Sequence, residues 1–191
     1  TSAAAQRARI DIWAKLPEWE DQPPPPPPGA FPVSPDDART RLSMLTGNGA
    51  EERQQQRDYA ATVTKAFRPR EAAGAPQILL AEAGTGTGKT LGYNAPASLW
   101  AEQNEGTVWL STYTKNLQRQ LDQELTRLYP DPIEKDQKSV IRKGRENYLC
   151  LLNLEEQAGG LLVGPQGAAA ALIARWARYS RDGDMVGGDF P

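Results

Sequence analysis

Residues Ala81 to Leu91 read A-E-A-G-T-G-T-G-K-T-L, and the expected fold is built outward from them. From Ala83 to Thr90 the run fits a phosphate-binding loop, with the small Ala83 first and Gly88-Lys89-Thr90 closing it. Gly84, Gly86 and Gly88 let the backbone curl so that successive N–H groups face one centre; Thr85 and Thr87 fill the places between them. Lys89 is spaced to reach the β- and γ-phosphates of a nucleoside triphosphate, and Thr90 to ligate Mg²⁺ through its hydroxyl. These two are the candidate catalytic residues. A helix starting here would add the positive end of its dipole under the same phosphates.

The flanks agree with that reading. Gln77-Ile78-Leu79-Leu80 is a short apolar run behind the turn signals Gly74 and Pro76, the pattern of a buried strand. Leu91 to Trp100 reads as helix, so the order is strand, Gly-rich loop, helix. Thr107-Val108-Trp109-Leu110-Ser111 predicts a second strand and Ser139-Val140-Ile141-Arg142 a shorter third. Thr114 to Tyr129 predicts a helix with a core-facing stripe of Leu117, Leu121, Leu125 and Leu128. Alternating strands and helices imply an α/β fold with a parallel, covered sheet and right-handed crossovers.

Upstream, Ser34-Pro35-Asp36-Asp37 has the marks of a helix start: a serine cap, proline in the first turn and acids behind it. Gly47-Asn48-Gly49 would end that helix. Glu51 to Phe67 reads as a polar helix with Tyr59, Val63 and Phe67 on one face. Pro23 to Pro28 is an unbroken proline run, hence polyproline II; it is a stiff spacer or a ligand for an aromatic groove. The residues before it hold an alanine-rich start and the tryptophans Trp13 and Trp19, expected to pack on the following domain. Downstream, Asn147 to Glu156 and Ala168 to Arg181 read as helices separated by a glycine-rich stretch from Gly159 to Gly167.

Composition narrows the chemistry. The chain has 191 residues, a formal net charge of −2, no histidine and one cysteine, Cys150. Histidine triads, histidine bases and histidine metal ligands are excluded. No global basic field advertises nucleic acid, so any such surface must be local. No apolar stretch approaches a membrane span and no signal-peptide pattern precedes the first charges, which leads to the expectation of a cytoplasmic protein without membrane contact.

Three further segments sharpen the loop reading: E-A-G-T-G-T-G-K-T from Glu82, S-T-Y-T-K-N-L-Q-R-Q-L from Ser111, and K-G-R-E-N-Y-L-C from Lys143 to Cys150. Together with the loop they resemble the DinG/XPD-like branch of superfamily 2 DNA helicases, and most closely the bacterial DinG type. The resemblance runs from about Glu51 to Asn153; the first fifty residues carry none of it. It implies a P-loop RecA-like sheet with flanking helices as a partial first motor domain (residues 50–144), a Pro-rich extension before it (1–49), and a mostly helical start of an iron–sulfur insertion after it (145–191). It further implies ATP and Mg²⁺ as cofactors, single-stranded or forked DNA as partner, and ATP-driven 5′-to-3′ movement along the single strand.

Residue by residue, the resemblance places Arg53 and Gln56 beside the nucleotide, where the amide can hydrogen-bond an adenine edge in two places. On the residues alone, a glutamine-rich helix start carries no such meaning. Thr112 and Thr114 fall where a strand gives way to a helix, and hydroxyls and backbone N–H groups there suit a DNA phosphate. Lys115 and Arg119 extend that contact or form a solvated face. Arg142, Lys143 and Arg145 make a compact basic patch suited to a single-stranded backbone, with Arg145 the chosen DNA contact. Cys150 on composition alone is a small buried apolar residue. The resemblance makes it the first of four thiolates of a [4Fe–4S] cluster, which one cysteine cannot hold by itself.

ATP cleavage also calls for an acidic pair at the end of an apolar strand to orient magnesium and water, and no segment here has that form; Asp184-Met185-Val186 is too weakly apolar. With Thr1 in first place and a lone cluster cysteine, these features favour an amino-terminal-side fragment of a longer helicase, inactive alone. The alternatives are a stand-alone P-loop nucleotide-binding module, a P-loop ATPase of another branch, or a non-enzymatic DNA-binding or scaffold protein.

Overall fold

Ser34 and Pro35 start the first helix as their chemistry predicts. In the computed structural model, helix α1 spans Pro35–Thr46, and the Ser34 side chain accepts from the N–H groups of Asp36 and Asp37 at 3.2 and 3.4 Å. Two acids lie in its first turn, where the positive end of the dipole favours them. Gly47, at φ 83°, closes it with an N–H bond to the Ser43 carbonyl. The structure describes residues 23–47, 53–72, 74–84, 86–154, 156, 167–187 and 190. The expectations for Trp13, Trp19, Asn48, Gly49, Thr85 and the stretch from Gly159 to Pro165 fall outside them.

Residues Pro24–Ile141 form one compact unit. In it, α2 (Gln54–Val63) runs into a 3₁₀ turn over Thr64–Phe67, and α3 spans Lys89–Asn104. The helices α1, α2 and α3 pack on one another around Leu42, Leu45, Ala60, Leu91 and Ala95. α2 presents Ala60, Ala61 and Val63 to that core; Tyr59 and Phe67 are only half-buried. Phe67 meets Trp100 of α3 with ring centroids 5.9 Å apart. Pro96 sits inside α3 and is fully buried, so the helix runs through the proline to Asn104, four residues beyond the predicted end.

Asn104 ties the segment after the proline run to this layer. Its carbonyl accepts from the Gly29 N–H at 2.9 Å, and its amide both accepts from the Phe31 N–H (2.6 Å) and donates to the Phe31 carbonyl (3.1 Å). A third bond runs to the Trp100 carbonyl at 3.0 Å. Arg41 of α1 adds a two-pronged pair with Glu102 of α3, at 3.1 and 2.6 Å. The α1 region is thus built into the same unit as the glycine-rich loop.

The expected parallel sheet is not formed. Among the described residues there is no β-strand, and the one bridge-type pairing, Tyr148 with Asp184, is antiparallel. Residues 77–82, 107–111 and 139–142 have no regular secondary structure. Ile78, Leu80, Trp109 and Val140, expected in a covered sheet, are 77%, 92%, 77% and 74% exposed. An apolar run reports a tendency to extend and to be buried, but a strand exists only where a second backbone supplies its ladder of hydrogen bonds. None of these three runs has one here. The P-loop RecA-like sheet read from the sequence is therefore corrected: the described residues are helical, and the three expected strands form no sheet.

Helix α4 spans Lys115–Leu128 and is capped by Thr114, whose hydroxyl accepts from the Leu117 N–H at 3.2 Å. Of its leucine stripe Leu121 is buried, Leu125 and Leu128 are half-buried, and Leu117 is exposed. A short helix α5, Pro132–Lys138, follows; Asp131 caps it through the Ile133 N–H at 2.9 Å. Lys135 fastens α5 to α4 by pairing with Asp122 at 2.6 Å and donating to Thr126 at 2.9 Å.

The described part of Arg142–Pro191 belongs to a second unit. Here the predicted helix from Asn147 to Glu156 is replaced at its start by a single 3₁₀ turn, Arg145–Asn147. Tyr148 and its neighbours instead pair with the segment around Asp184: Leu149 N–H donates to the Gly183 carbonyl (2.9 Å) and Met185 N–H to the Asn147 carbonyl (2.8 Å). Helix α6, Gly167–Tyr179, lies close to its predicted span. Trp176 of α6 meets Phe190 edge to face, 4.8 Å between centroids.

Candidate nucleotide site

A phosphate cradle needs backbone N–H groups turned inward, and the peptide geometry then sends the carbonyls outward. Two glycines make the bend possible: Gly86 has φ 76° and Gly88 φ 76°, ψ 27°, the left-handed region in which a side chain is strained. Gly88 is also the residue before α3. Where Ser34, Thr114 and Asp131 cap their helices with a side chain, Gly88 offers none. The first-turn N–H groups of α3 therefore receive no side-chain cap from residue 88, at the positive end of the helix.

Four side chains donate to the carbonyls of the loop. Lys89 donates from Nζ to the carbonyls of Ala83 and Gly84, each at 2.6 Å. Arg53, at the start of α2, donates to the Gly86 carbonyl at 2.7 Å, and Gln56 donates from Nε2 to the Gly88 carbonyl at 2.8 Å. The Thr87 hydroxyl donates to the Gly84 carbonyl at 2.9 Å, a contact the sequence did not suggest. The structure thus brings together Arg53, Gln56, Ala83, Gly84, Gly86, Thr87, Gly88, Lys89 and Thr90; Thr85 lies outside the described residues.

Packing holds α2 and α3 in that relation. Tyr59 lies against Gly92, where an added Cβ would come within 2.6 Å of the ring. Burial raises the Tyr59 phenol above the ordinary tyrosine value, and neighbouring Tyr93 adds to the shift. Asn94 is buried, and no donor among the described residues reaches its Oδ1.

The residues fit a triphosphate: a cationic side chain, two left-handed glycines and an uncapped helix start meet in one loop. Lys89 and the loop N–H groups would hold the phosphates, and Thr90 would hold Mg²⁺, which supplies charge neutralisation between them. This chain's residues cannot hold an iron–sulfur cluster by themselves. Cys150 is exposed and is the chain's one cysteine, and no cluster of metal-ligating side chains occurs among the described residues.

The DNA-binding candidates fall in two places. Thr112, Thr114 and Lys115 stand at the start of α4, where the Thr114 hydroxyl is engaged as the cap and Lys115 is exposed. Arg145 is exposed in the second unit. Its neighbour Lys143 instead forms an ion pair with Asp184, whose other oxygen accepts from the Val186 N–H at 3.0 Å. Asp184 therefore anchors a loop pairing. No helix among the described residues is long and apolar enough to cross a membrane.

Sequence comparison finds relatives named as helicases. The chain is 39% identical over 139 residues to the ATP-dependent DNA helicase YoaA of Escherichia coli, covering 72% of this chain and 20% of that protein. It is 40% identical over 107 residues to the ATP-dependent helicase DinG of Mycobacterium tuberculosis (54% of this chain, 15% of that protein). It is 38% identical over 112 residues to a protein of Bacillus subtilis named 3′-5′ exonuclease DinG (56% and 11%). No protein-family model matches the chain, and no solved structure matches it. The chain spans about a fifth of the length of the YoaA relatives. On this similarity, the matched part of the chain belongs with the DinG-type helicases, of whose full length it represents a small share.

Proposed function

We propose that this chain carries the nucleotide-gripping part of an ATP-dependent DNA helicase. One observation carries the reading. A helix with no side-chain cap begins at a left-handed Gly88, and Lys89, its first residue, is folded over the loop ahead of it. That arrangement suits the β- and γ-phosphates of ATP, and the relatives named as ATP-dependent helicases supply the reaction class. ATP binding moves the Lys89 ammonium from two neutral carbonyls to phosphate oxygens, a stronger charge-assisted contact. Thr90 then holds Mg²⁺, and catalysis consists of positioning and charge neutralisation with no covalent enzyme intermediate.

In the whole helicase this site drives 5′-to-3′ movement along single-stranded DNA in the cytoplasm. Thr112, Thr114, Lys115 and Arg145 contact the sugar-phosphate backbone without reading sequence. The experiment is DNA-stimulated ATP hydrolysis by the full-length protein. Wild type should be stimulated by single-stranded DNA, and Lys89→Ala should lose turnover while keeping most of its affinity for the strand. Hydrolysis indifferent to DNA would favour the other reading, a P-loop ATPase or nucleotide-binding module that is not a helicase.

A further inference from the structure

Six consecutive prolines, Pro23–Pro28, leave the backbone one conformation. Each ring fixes its own φ, and each proline keeps the residue before it out of the helical region, so the run is polyproline II. Every peptide bond among the described residues is trans, as that helix requires. All six prolines are exposed, and among the described residues no hydrogen bond reaches their carbonyls. With three residues per turn and about 3.1 Å per residue, the run makes two turns and extends for roughly 19 Å.

The downstream end of the run is clamped. Pro28 lies against Gly106, where an added Cβ would come 3.1 Å from the Pro28 Cβ. Gly29 donates its N–H to the Asn104 carbonyl at 2.9 Å, the Asn104 amide holds Phe31 by two bonds, and Val33 is buried. The run therefore leaves the C-terminal end of α3 from a fixed base. Stiffness alone would suffice for a spacer, and prolines interspersed with polar residues supply it. Unbroken prolines add something: each of the three ridges of the helix carries two rings, Pro23 with Pro26, Pro24 with Pro27, and Pro25 with Pro28, about 9 Å apart. However it is turned, the run offers apolar rings to a groove and bare carbonyls to the N–H or O–H of groove tryptophans and tyrosines. Rings and clamp have already removed much of the conformational freedom that docking would otherwise cost.

Charge narrows the partner. Glu18, Glu20 and Asp21 stand just ahead of the run, Asp36 and Asp37 follow it, and no lysine or arginine occurs between Lys15 and Arg39. A groove that receives the prolines meets acids at its edge, which favours lysine or arginine there. We propose that Pro23–Pro28 is a docking ligand for a partner protein whose aromatic-lined groove has a basic rim. The glycine-rich loop plays no part in this contact.

The test titrates the 191-residue chain into two isotope-labelled probes, an EVH1 domain and a WW domain, each with lysine or arginine at its groove rim, and follows their groove resonances by NMR. Saturable shifts of the groove aromatics are expected in at least one probe. The triple variant Pro24→Ala, Pro25→Ala, Pro26→Ala takes one ring from every ridge; it should weaken binding at least about tenfold with the melting temperature unchanged, because all three residues are exposed. The variant Glu18→Gln, Glu20→Gln, Asp21→Asn should weaken it about threefold and flatten its salt dependence. No saturable shift in either probe, or equal binding by the triple variant, would leave the run a spacer and overturn the proposal. Binding that the neutralised acids leave unchanged would overturn the basic rim, and with it the partner proposed.

Discussion

Replacing Gly88 by alanine tests the loop geometry at its most demanding point. Gly88 has φ 76° and ψ 27°, and an alanine held there costs about 1–2 kcal/mol from the clash of its Cβ with the backbone. A second cost is specific to this site. The new Cβ would lie 2.6 Å from Gln56 Cδ, whereas carbon atoms settle at about 3.5–4.0 Å. The amide must retreat by roughly 1 Å, which stretches its 2.8 Å bond to the Gly88 carbonyl beyond hydrogen-bonding range. That loss adds about 1 kcal/mol. The sum, about 2–3 kcal/mol against the binding-competent loop, corresponds to a weakening of nucleotide binding by roughly 30-fold to 140-fold. Fluorescence titration with a labelled ATP measures it. The double variant Gly88→Ala, Gln56→Ala separates the parts: with the amide gone, the steric term vanishes and the backbone term stays. The two substitutions should therefore be non-additive by about 1 kcal/mol. Full affinity in Gly88→Ala, or strict additivity in the double variant, would refute the reasoning.

Three other outcomes follow from the structure. Asn104→Ala removes three side-chain hydrogen bonds, two of them to Phe31; it should cost about 2–3 kcal/mol and lower the melting temperature by roughly 5–10 °C, with protease sensitivity appearing between Pro28 and Val33. Glu105, which closes α3 in the left-handed region at φ 50°, should gain about 1 kcal/mol on replacement by glycine, read as a higher denaturant midpoint with unchanged slope. Tyr59 and Tyr129 are both held above the ordinary tyrosine value of 10.0, chiefly by burial. The folded state thus retains their protons longer than the unfolded chain, so stability is full below about pH 10 and is lost as pH rises through the folded values. Absorbance titration at high pH should show tyrosines ionising late and together with unfolding; early, independent ionisation of all of them would contradict the burial.

Local chemistry was legible in the sequence, and pairings across long separations were not. Ser34-Pro35-Asp36 announces α1 because a cap is made within four residues, and the same rule found in Asp131-Pro132 would have announced α5, which was missed. The three apolar runs at Gln77, Thr107 and Ser139 signalled extended chain, yet a sheet depends on partners that periodicity does not name. Asn104 and Phe31 are 73 positions apart, so nothing in a local reading links them. The basic patch at Lys143 looked available until the fold brought Asp184 to it from 41 positions away. At the loop, glycine spacing gave away the bend and Lys89 its charge. The partners of Arg53 and Gln56 appear only when α2 is set against the loop, 33 and 32 residues away.

The central claim is that the loop from Ala83 to Thr90 grips polyphosphate. Equilibrium titration of the 191-residue chain with labelled ATP and Mg²⁺, followed by competition with tripolyphosphate, tests it most directly. The account predicts saturable binding, displacement by tripolyphosphate, and at least a tenfold loss in Lys89→Ala, whose charged contact with phosphate is worth about 1.5–3 kcal/mol. Absence of saturable binding, or binding that Lys89→Ala leaves intact, would contradict it.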